Sequence, residues 1–448
     1  MPTGGVGMNV RVRHSRGDAP VALDPIVPCV AEILDEDRLL LELARAFPEC
    51  SFSEPTSVLD ITYTPRRALS ATFEVSRSGA PRIVALNART GDARGSEPLV
   101  DNGMGERRVL GGWNAVAWEF PADPAMPALV RLTDTTAMSG VLRWLVGSAH
   151  EVTACIPLRY VPERRCVIHV IGRDIDIVAR HAAPDHARIE HERLQWLWEH
   201  PDRAFRMAEP LGFDHRLQTR FERMVLGQRS DAMPILARSI PVEALCAQLA
   251  HVHSLSSVDA DPQLRRLGPG AILGHIERAA TRRLRIAFPG CGDGLTTYIQ
   301  AMRTAAGDLP ESPNVTLHGD LHGGNVILDD DGPVLVGLDS PALGDPAFDL
   351  ALLGTSLFVA AIQSGTAVTG AAALIEELPA AYAQVTGASV RGDTYAWHVA
   401  AALVGWQADA ALQVLAPHAD VLTAALIDTA VVVLRDGARA AALTSFVG

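Results

Sequence analysis

The chain has 448 residues, of which 48% are hydrophobic and 20% are charged, and all 39 of its basic residues are arginine. This composition is typical of a globular protein with two or three domains. The absence of lysine excludes mechanisms that need a lysine amine, including Schiff-base catalysis and a standard P-loop. The formal net charge of −13 argues against general nucleic-acid binding.

The negative charge is concentrated in the last third of the chain, because residues 301–448 contain 16 Asp and Glu and only four Arg. Such a segment either attracts cationic ligands and metal ions or forms a solubilising surface. The six cysteines have no CxxC spacing, which excludes a disulfide framework or a zinc site and indicates a reducing, cytoplasmic setting. Residues 1–17 lack the apolar core of a signal peptide.

In chain order, a helix is predicted at Val30–Phe47, followed by three strands within residues 57–88. Three similar strands follow within residues 153–183, so that Tyr63 aligns with Tyr160. The alternatives are a duplicated three-strand unit and chance similarity between short β-rich segments. In the duplicated unit, the sequence alignment matches Leu86 to Arg180 and Arg66–Arg67 to Arg164–Arg165.

The second half of the chain is predicted to be mostly helical. A helix is expected at His186–His200, strand-like segments continue to about Gly227, and an amphipathic helix is expected at Pro241–Leu255. The uncharged stretch Leu350–Ile375 is interrupted by glycine and polar residues, which favours two buried helices over a membrane span.

Segment 316–351 carries the motif that is most informative about chemistry. A glycine-rich loop, His318–Gly324, follows an apolar strand, and a hairpin that turns at Asp330–Gly332 follows the loop. This hairpin would bring two oxygen-bearing side chains, Asn325 and Asp339, close to the loop. Oxygen ligands of this kind suit Mg²⁺, which usually keeps phosphate and water in its other positions.

The loop also supplies Asp320, a carboxylate that can accept a proton from a hydroxyl while the other two side chains bind metal. Phosphoryl transfer needs this combination of an orienting base and metal ligands. The motif H-G-D-L-H-G-G-N, followed by L-D-S-P-A-L-G-D-P-A-F-D-L-A, resembles the aminoglycoside phosphotransferase and choline kinase family, which has a protein-kinase-like fold.

The resemblance implies a catalytic base, a residue that supports the catalytic loop and two magnesium ligands: Asp320, His318, Asn325 and Asp339. Asp345 and Asp349 would be mainly structural, since they would hold the loop and cap the following helix. Ser340 is a mild departure, because many relatives have an aromatic residue after the metal-binding aspartate.

The same resemblance implies nucleotide-binding residues. E-H-E-R-L-Q-W-L places Glu190, with Glu192 as the alternative, on the helix whose glutamate pairs with the phosphate-binding basic residue. F-E-R-M-V-L-G places the backbone of Met224 and Val225 against the adenine. The family's usual lysine on the third strand is replaced by Arg180, which is expected to pair with Glu190 and to grip two phosphate oxygens.

The turn between the first two strands of this lobe has no G-x-G-x-x-G pattern. It contains Arg164 and Arg165, which either cover the phosphates or are exposed turn residues. In the earlier repeat, Leu86 aligns with Arg180 and no H-G-D loop follows, so that copy is expected to be non-catalytic.

We therefore predict an α+β, bilobal protein-kinase-like fold with a β-rich N-lobe, a mostly helical C-lobe and an extra N-terminal α/β accessory domain, which is a candidate degenerate repeat of the N-lobe. The predicted ranges are 1–145 for the accessory domain, 146–228 for the N-lobe and 229–448 for the C-lobe. The accessory domain would cap the active site, mediate dimerisation or bind substrate. The two tryptophans of segment 111–121 form either a contact surface or part of the core.

The predicted function is transfer of the γ-phosphate of ATP or GTP to a hydroxyl of a small molecule, with Mg²⁺ as cofactor. The acidic excess favours a cationic, aminoglycoside-like acceptor, as in antibiotic resistance or natural-product biosynthesis. One alternative is a kinase of Ser/Thr residues in a peptide precursor, although no activation segment separates L-D-S from G-D-P. The other is a non-catalytic, nucleotide-binding pseudokinase. Neither a nucleic-acid nor a membrane partner is expected, and the oligomeric state is left open.

Overall fold

A computed structural model describes residues 24–51, 57–89, 107–147, 150–182, 186–231, 241–255, 264–310 and 314–444. Residues 1–17, whose sequence lacks the apolar core of a signal peptide, lie outside these ranges. The chain divides into two compact units. The first extends through His191 and includes Pro210–Met224 and Ala411–Ala419, and the second comprises Glu192–Glu209, Val225–Ala410 and Asp420–Gly448.

The first unit begins with two helices and a five-stranded antiparallel sheet. The elements are α1 (Cys29–Ile33), α2 (Glu36–Ala46), β1 (Ser57–Thr64), β2 (Ala68–Arg77), β3 (Ala80–Arg89), β4 (Arg107–Leu110) and β5 (Ala115–Glu119). The strand order is β1-β2-β3-β5-β4. The single helix predicted at Val30–Phe47 is two helices, because Asp35 leaves the helical conformation and its side chain caps α2 by accepting from the N–H of Arg38.

The second half of this unit repeats the pattern. Its elements are α3 (Leu129–Leu132), α4 (Thr135–Val146), β6 (Val152–Val161), β7 (Arg165–Gly172), β8 (Asp176–Ala182), α5 (His186–Glu199), β9 (Pro210–Asp214) and β10 (Thr219–Arg223). The strand order, β6-β7-β8-β10-β9, is the order of the first sheet. Asp134 caps α4, as Asp35 caps α2. The common topology therefore favours a duplication over chance similarity.

Hydrogen bonds at the first turn of each sheet support the same conclusion. In each copy an aspartate accepts from a tyrosine hydroxyl and from the backbone N–H of a turn residue with positive φ. These residues are Asp24, Tyr63 and Arg66 in the first copy, and Asp123, Tyr160 and Glu163 in the second. The repeat thus begins at an aspartate before the helices of each copy, and it is longer than the three strands that the sequence suggested.

The strand register corrects one alignment. Tyr63 and Tyr160 occupy matching positions, and from them the register matches Ala179 to Leu86 and Arg180 to Asn87. The sequence alignment of Leu86 with Arg180 is therefore wrong by one residue, because the hairpins that precede the two third strands differ in length. A shift of one residue moves a side chain to the other face of a sheet.

In the first copy, the face of the sheet that carries Asn87 packs against the second copy. Trp118 lies in a core shared with the second copy, and its Nε1 donates to the hydroxyl of Tyr160 at 2.9 Å. Asn87 donates to the carboxylate of Glu163 at 2.6 Å. Trp113 and Trp118 are both buried, which confirms core packing for the two tryptophans of segment 111–121. The face that carries Arg180 in the second copy is therefore covered in the first.

The predicted boundary at 145–146 lies at the C-terminal end of α4. Met138 and Leu142 of this helix are buried in the core on which Ile168 and Ala179 of the second sheet also pack. The helices that belong to the second copy therefore begin before that boundary. The domain ranges themselves stay a prediction.

The remaining elements of the chain are mainly helical. They are β11 (Gln228–Arg229), α6 (Val242–Ser254), β12 (Arg265–Leu267), α7 (Pro269–His275), α8 (Thr281–Ala287), α9 (Gly292–Gly307), β13 (Val315–Leu317), β14 (Val326–Asp329), β15 (Gly332–Leu335), β16 (Ala342–Gly344), α10 (Pro346–Ser364), α11 (Val368–Thr386), α12 (Gly392–Ala402), α13 (Asp409–Gln413), α14 (Ala419–Asp436) and α15 (Ala440–Leu443). Two three-stranded sheets, ordered β11-β14-β15 and β12-β16-β13, lie among the helices. The predicted hairpin is present, with its turn between Asp329 and Gly332.

Helix α10 is long and apolar enough to cross a membrane by length and composition. However, 72% of its most apolar window is buried, and it contains the fully buried Asp349. These features are those of a core helix, and α10 and α11 are the two helices that were predicted in this region.

All six cysteines lie in described segments and none forms a disulfide. Burial raises the pKa of Cys29 and of Cys246 to about 12, so both remain thiols at neutral pH. The absence of a disulfide framework stays a prediction.

The duplication supplies a matched pair of stability variants. Tyr160→Phe removes a hydroxyl that joins Trp118 to Asp123, whereas Tyr63→Phe removes a hydroxyl that donates to Asp24. We expect Tyr160→Phe to lower the free energy of unfolding by about 2–3 kcal/mol and Tyr63→Phe by about 1 kcal/mol, since only the first leaves both a donor and an acceptor without this partner. Urea unfolding followed by tryptophan fluorescence measures both values. Equal losses would contradict the coupling of the two copies through Tyr160.

Candidate active site

A buried carboxylate holds the start of the glycine-rich loop in the second unit. Asp349, in the first turn of α10, accepts from the backbone N–H of His318 at 2.7 Å and of Gly319 at 3.0 Å. Its Oδ2 also lies 3.1 Å from Nε2 of His253 on α6. Nδ1 of His253 lies 2.8 Å from the hydroxyl of Tyr382 on α11. One carboxylate therefore joins the loop to three helices.

The surroundings of Asp349 favour its charged form. Burial by itself raises the pKa of this carboxyl, but the hydrogen bonds from the ring of His253 and from the backbone N–H of His318 hold the pKa below the usual range. Burial raises the pKa of Tyr382, so its hydroxyl stays protonated beside Nδ1 of His253. The ionised carboxylate is thus fully supplied with donors despite its burial.

His318 connects the loop to the hairpin. Its Nε2 lies 3.1 Å from the carbonyl oxygen of Val336, and its Nδ1 accepts from the N–H of Asp320 at 3.4 Å. A single neutral tautomer, with hydrogen on Nε2, satisfies both contacts. The ring is fully buried, so His318 supports the backbone of Asp320 and is itself shielded from solvent.

Gly319 allows the two arms of the site to approach each other. Its φ is +77°, and a Cβ at this position would overlap the carbonyl oxygen of Ser340. The Nη2 of Arg265, at the start of β12, donates to the carbonyl oxygen of Gly319 at 2.9 Å. The residue before Asp320 therefore lies against the residue after Asp339, and an arginine fixes the peptide between them.

Asn325 is fixed in the same place. Its Nδ2 donates to the carbonyl oxygen of Asp320 at 2.9 Å, and its carbonyl oxygen accepts from the N–H of Val336. A Cβ on Gly337, which has a φ of +72°, would lie 2.7 Å from Oδ1 of Asn325. Asp339 follows two residues later. The structure therefore brings Asp320, Asn325 and Asp339 together, as the hairpin predicted.

The donors at this point fit magnesium. Since Nδ2 of Asn325 is committed to a carbonyl oxygen, the amide presents the oxygen Oδ1, and Asp339 adds a half-buried carboxylate. Both are hard oxygen donors, and Mg²⁺ completes its octahedron with phosphate and water. Among the described residues, no cluster of three or more His, Cys, Asp or Glu is placed to hold a metal ion. Two protein ligands are, however, sufficient for this kind of site.

The two remaining aspartates of the motif have structural roles. Asp345 caps α10 by accepting from the N–H of Ala347 at 2.9 Å, and Asp349 holds the loop. The prediction that Asp345 and Asp349 hold the loop and cap the helix is confirmed.

In the first unit, the prediction that Arg180 forms an ion pair with Glu190 is wrong. The Nε of Arg180, on β8, lies 3.2 Å from Oε1 of Glu222 on the neighbouring strand β10. Glu190, on α5, is instead paired with Arg220 of β10, at 3.5 Å between Oε2 and Nε. Arg220 lies directly opposite Arg180 in the sheet, and it forms the ion pair with Glu190 that was predicted for Arg180.

Arg220 and Glu222 were not recognised from the sequence. The signal that was present is the alternation in T-R-F-E-R, which places both charged side chains on one face of a strand. Arg265 was also missed, because its role depends on a contact with a loop that is distant in sequence.

The other predicted nucleotide-binding residues lie at the β6–β7 turn and in the segment that follows β10. Arg164 and Arg165 are exposed at the β6–β7 turn, which agrees with the second of the two alternatives for them, and a phosphate-binding role stays a prediction. The N–H of Met224 donates to the carbonyl oxygen of Asp176 at 3.0 Å, so Met224 can offer a purine only its carbonyl oxygen. Val225 follows as the first residue of the second unit.

Comparison with known proteins identifies the family. The model of the phosphotransferase enzyme family matches residues 158–389, just over half of the chain. The chain therefore belongs to this family. It is an enzyme that transfers a phosphoryl group to an alcohol group of a small molecule. No curated protein matches the chain.

Solved structures that are similar to this chain include a choline kinase from Cryptosporidium parvum, with 11% identity, a TM-score of 0.48, and coverage of 66% of this chain and 94% of that one. Aminoglycoside phosphotransferase APH(3'')-Id from Streptomyces rimosus has 19% identity and a TM-score of 0.40, with coverages of 65% and 99%. Macrolide 2'-phosphotransferase MphH from Brachybacterium faecium has 18% identity and a TM-score of 0.44, with coverages of 66% and 98%. The family assignment rests on the family model alone.

These findings confirm the α+β fold, the family and the prediction of an enzyme. The roles of Asp320, Asn325, Asp339, His318 and the nucleotide-binding residues stay predictions, although their positions are now described.

Replacing Asp349 tests the anchor of the loop. Asp349→Asn presents an N–H₂ group where two backbone N–H groups and His253 need acceptors, so we expect a loss of roughly 3–5 kcal/mol in the free energy of unfolding at neutral pH. Asp345→Asn is the control, because asparagine caps a helix about as well as aspartate. Urea unfolding measures both variants.

The stability of Asp349→Asn should also depend less on pH than that of the wild type. A carboxyl whose pKa is lowered by folding contributes stability above its unfolded-state pKa, and this contribution is lost as the pH falls through the folded-state pKa. The free energy of unfolding of Asp349→Asn should therefore fall less on acidification than that of the wild type. An equal fall would show that Asp349 is not a source of the acid sensitivity.

Proposed function

We propose that this enzyme transfers the γ-phosphate of ATP or GTP to a hydroxyl of a small molecule, with magnesium held by Asn325 and Asp339. The observation that supports it is the position of Asp320, an exposed carboxylate whose backbone is held by His318 and Asn325. The peptide before Asp320 is fixed by Asp349 and Arg265. A base that must meet a soluble acceptor has to be both accessible and rigid.

Each residue has a separate part in this proposal. Asp320 orients the acceptor hydroxyl and accepts its proton. His318 keeps the backbone of Asp320 in place, and Arg180 binds the phosphates of the nucleotide. Magnesium, when bound, neutralises charge on the phosphoryl group. The carbonyl oxygen of Met224 and the backbone of Val225 contact the purine.

The acceptor that we propose is a cationic small molecule. The excess of acidic residues in 301–448 supports this choice, since a negative field attracts amino-bearing compounds. A serine or threonine of a peptide is the alternative acceptor. The second candidate function, a pseudokinase that binds nucleotide without turnover, would leave the fixed geometry around Asp320 without a use. A cytoplasmic setting fits a nucleotide-dependent reaction and six free thiols.

A coupled assay tests the reaction. The protein is mixed with Mg-ATP or Mg-GTP and with acceptors of three kinds: cationic amino sugars, neutral hydroxylated compounds and Ser/Thr peptides. Release of the nucleoside diphosphate above the acceptor-free rate is the expected result with the amino sugars. Nucleotide binding without turnover on any acceptor would favour the pseudokinase, and turnover restricted to peptides would favour the peptide kinase.

Removing the proposed base should abolish most of the rate. We expect Asp320→Asn to lower kcat by roughly 10²–10⁴-fold while nucleotide binding is kept, since the side chain acts on the acceptor hydroxyl. Asp330→Asn, on the exposed tip of the same hairpin, is the control and should keep the wild-type rate. A normal kcat for Asp320→Asn would reject the mechanism.

A glycine pair tests the magnesium site. Gly337→Ala forces a Cβ against Oδ1 of Asn325, whereas Gly332→Ala also adds a Cβ at positive φ but meets no atom within 4 Å. We expect Gly337→Ala to raise the magnesium concentration needed for half-maximal rate by about tenfold, because the added Cβ displaces Oδ1 of Asn325 from its position. Gly332→Ala should change thermal stability but not the magnesium requirement. The same magnesium requirement in both variants would argue against Asn325 as a ligand.

A further inference from the structure

Four charged side chains form a connected group on one face of the second sheet. Glu222 lies between two arginines, 3.2 Å from Nε of Arg180 and 3.3 Å from Nη1 of Arg220. Arg220 continues to Glu190 of α5 at 3.5 Å. The side chains of Arg220 and Glu222 are only 2% and 5% exposed, whereas those of Arg180 and Glu190 are 27% and 28% exposed. Burial therefore increases from the ends of the group to its centre.

The centre of this group requires both carboxylates. Arg180 and Arg220 are directly opposite each other on neighbouring antiparallel strands, and like charges at such positions repel. A buried arginine that lacks a counter-ion is costly. Glu222 lies on the same face of β10 as Arg220 and faces both guanidinium groups, so it relieves the repulsion at its source. Arg220 also pairs with Glu190, so each arginine of the group has a carboxylate beside it.

The contact with Glu222 involves only one part of the guanidinium group of Arg180. Glu222 is contacted by Nε of Arg180, at 3.2 Å and 3.3 Å to its two carboxylate oxygens. Within the described part of the chain, the hydrogen bond and the ion pair given for the side chain of Arg180 both run through this nitrogen. The terminal nitrogens Nη1 and Nη2 are the pair that can grip two phosphate oxygens at once. The guanidinium is therefore held at its inner edge, and its outer edge faces away from the carboxylate.

The first copy of the repeat has none of this chemistry. The strand register matches Arg180, Arg220 and Glu222 to Asn87, Val116 and Trp118. These three residues belong to the face of the first sheet that packs against the second copy. The charged group is thus a feature of the copy whose corresponding face does not serve the shared core.

We propose that Arg220 replaces the basic residue that normally pairs with the helix glutamate, and that Glu222 positions Arg180 so that its terminal nitrogens bind nucleotide phosphates. The lysine of the family performs two tasks at one position, and a chain without lysine divides them between two arginines. Arg220 and Glu222 are positioning residues in this scheme, and Arg180 is the ligand-binding residue. The inference rests on the proposed function, because it assigns the phosphates to Arg180.

A double-mutant cycle on nucleotide affinity tests the proposal. Binding of MgADP and MgGDP is measured by calorimetry for the wild type, Glu222→Gln, Arg180→Met and the double variant. We expect Glu222→Gln to weaken binding of the preferred nucleotide by about tenfold, the size of one lost charge-assisted hydrogen bond. In the Arg180→Met background the same change should have almost no further effect, since Glu222 acts through Arg180. The KM for the nucleotide should rise in parallel, while the KM for the acceptor stays the same.

Glu119→Gln is the matched control. Glu119, on β5 of the first sheet, also contacts two arginines, Arg77 at 2.8 Å and Arg82 at 3.5 Å. Its loss should leave nucleotide affinity unchanged. If Glu222→Gln does not fold, as judged by circular dichroism, Glu190→Gln replaces it in the cycle, because this residue lies at the partly exposed end of the group. The same lack of a further effect in the Arg180→Met background is expected.

Three results would overturn the proposal. Additive losses in the cycle would show that Glu222 acts independently of Arg180. A loss of the same size in Glu119→Gln would show a general effect of charge on the first unit. A wild type that binds neither nucleotide would reject the proposed function together with this inference, whereas turnover combined with additive losses would reject the inference alone.

Discussion

The glycine-rich loop His318–Gly324 of this phosphotransferase depends on the buried carboxylate of Asp349. It accepts from two consecutive backbone N–H groups and from His253, and so fixes the peptide that leads into Asp320. A buried backbone N–H without a partner is costly, so the carboxylate and the loop each require the other. The hydrogen bonds of His318 and Asn325 then add to a backbone that is already held. The buried carboxylate of Asp349 therefore fixes the backbone that leads to the exposed side chain of Asp320.

The first unit shows how two copies of one sheet can differ in the side chains of the same face. Both copies have the same strand order and the same aspartate–tyrosine turn. In the first copy, Asn87 and Trp118 turn the relevant face into a packing surface. In the second copy, the matching face carries Arg180 and Glu222. The two copies therefore differ in the side chains on one face of a common sheet. In the first copy this face packs in the shared core, and in the second copy it does not.

Much of the candidate site could be predicted because its residues are close in sequence. A strand, a glycine-rich loop and a hairpin span only segment 316–351, and turn chemistry determines how such short pieces fold. Asp320, Asn325 and Asp339 meet for this reason. The pairing of Glu190 was not predictable in the same way. It depends on which residue of β10 lies opposite Arg180, and a register of this kind is decided by the whole sheet.

The sequence by itself determined which side chains are available: arginine in place of lysine, the carboxylate of Asp320, and the side-chain oxygen atoms of Asn325 and Asp339. It also contains the repeat in the first part of the chain. It also determined the family, since linked motifs at fixed spacing are local features. Only the tertiary structure decided that Arg220 takes the helix glutamate, that Glu222 holds Arg180, and that Asn87 rather than Leu86 matches Arg180. The physical reason is that an ion pair between distant segments depends on strand register and burial, and both are properties of the packed sheet.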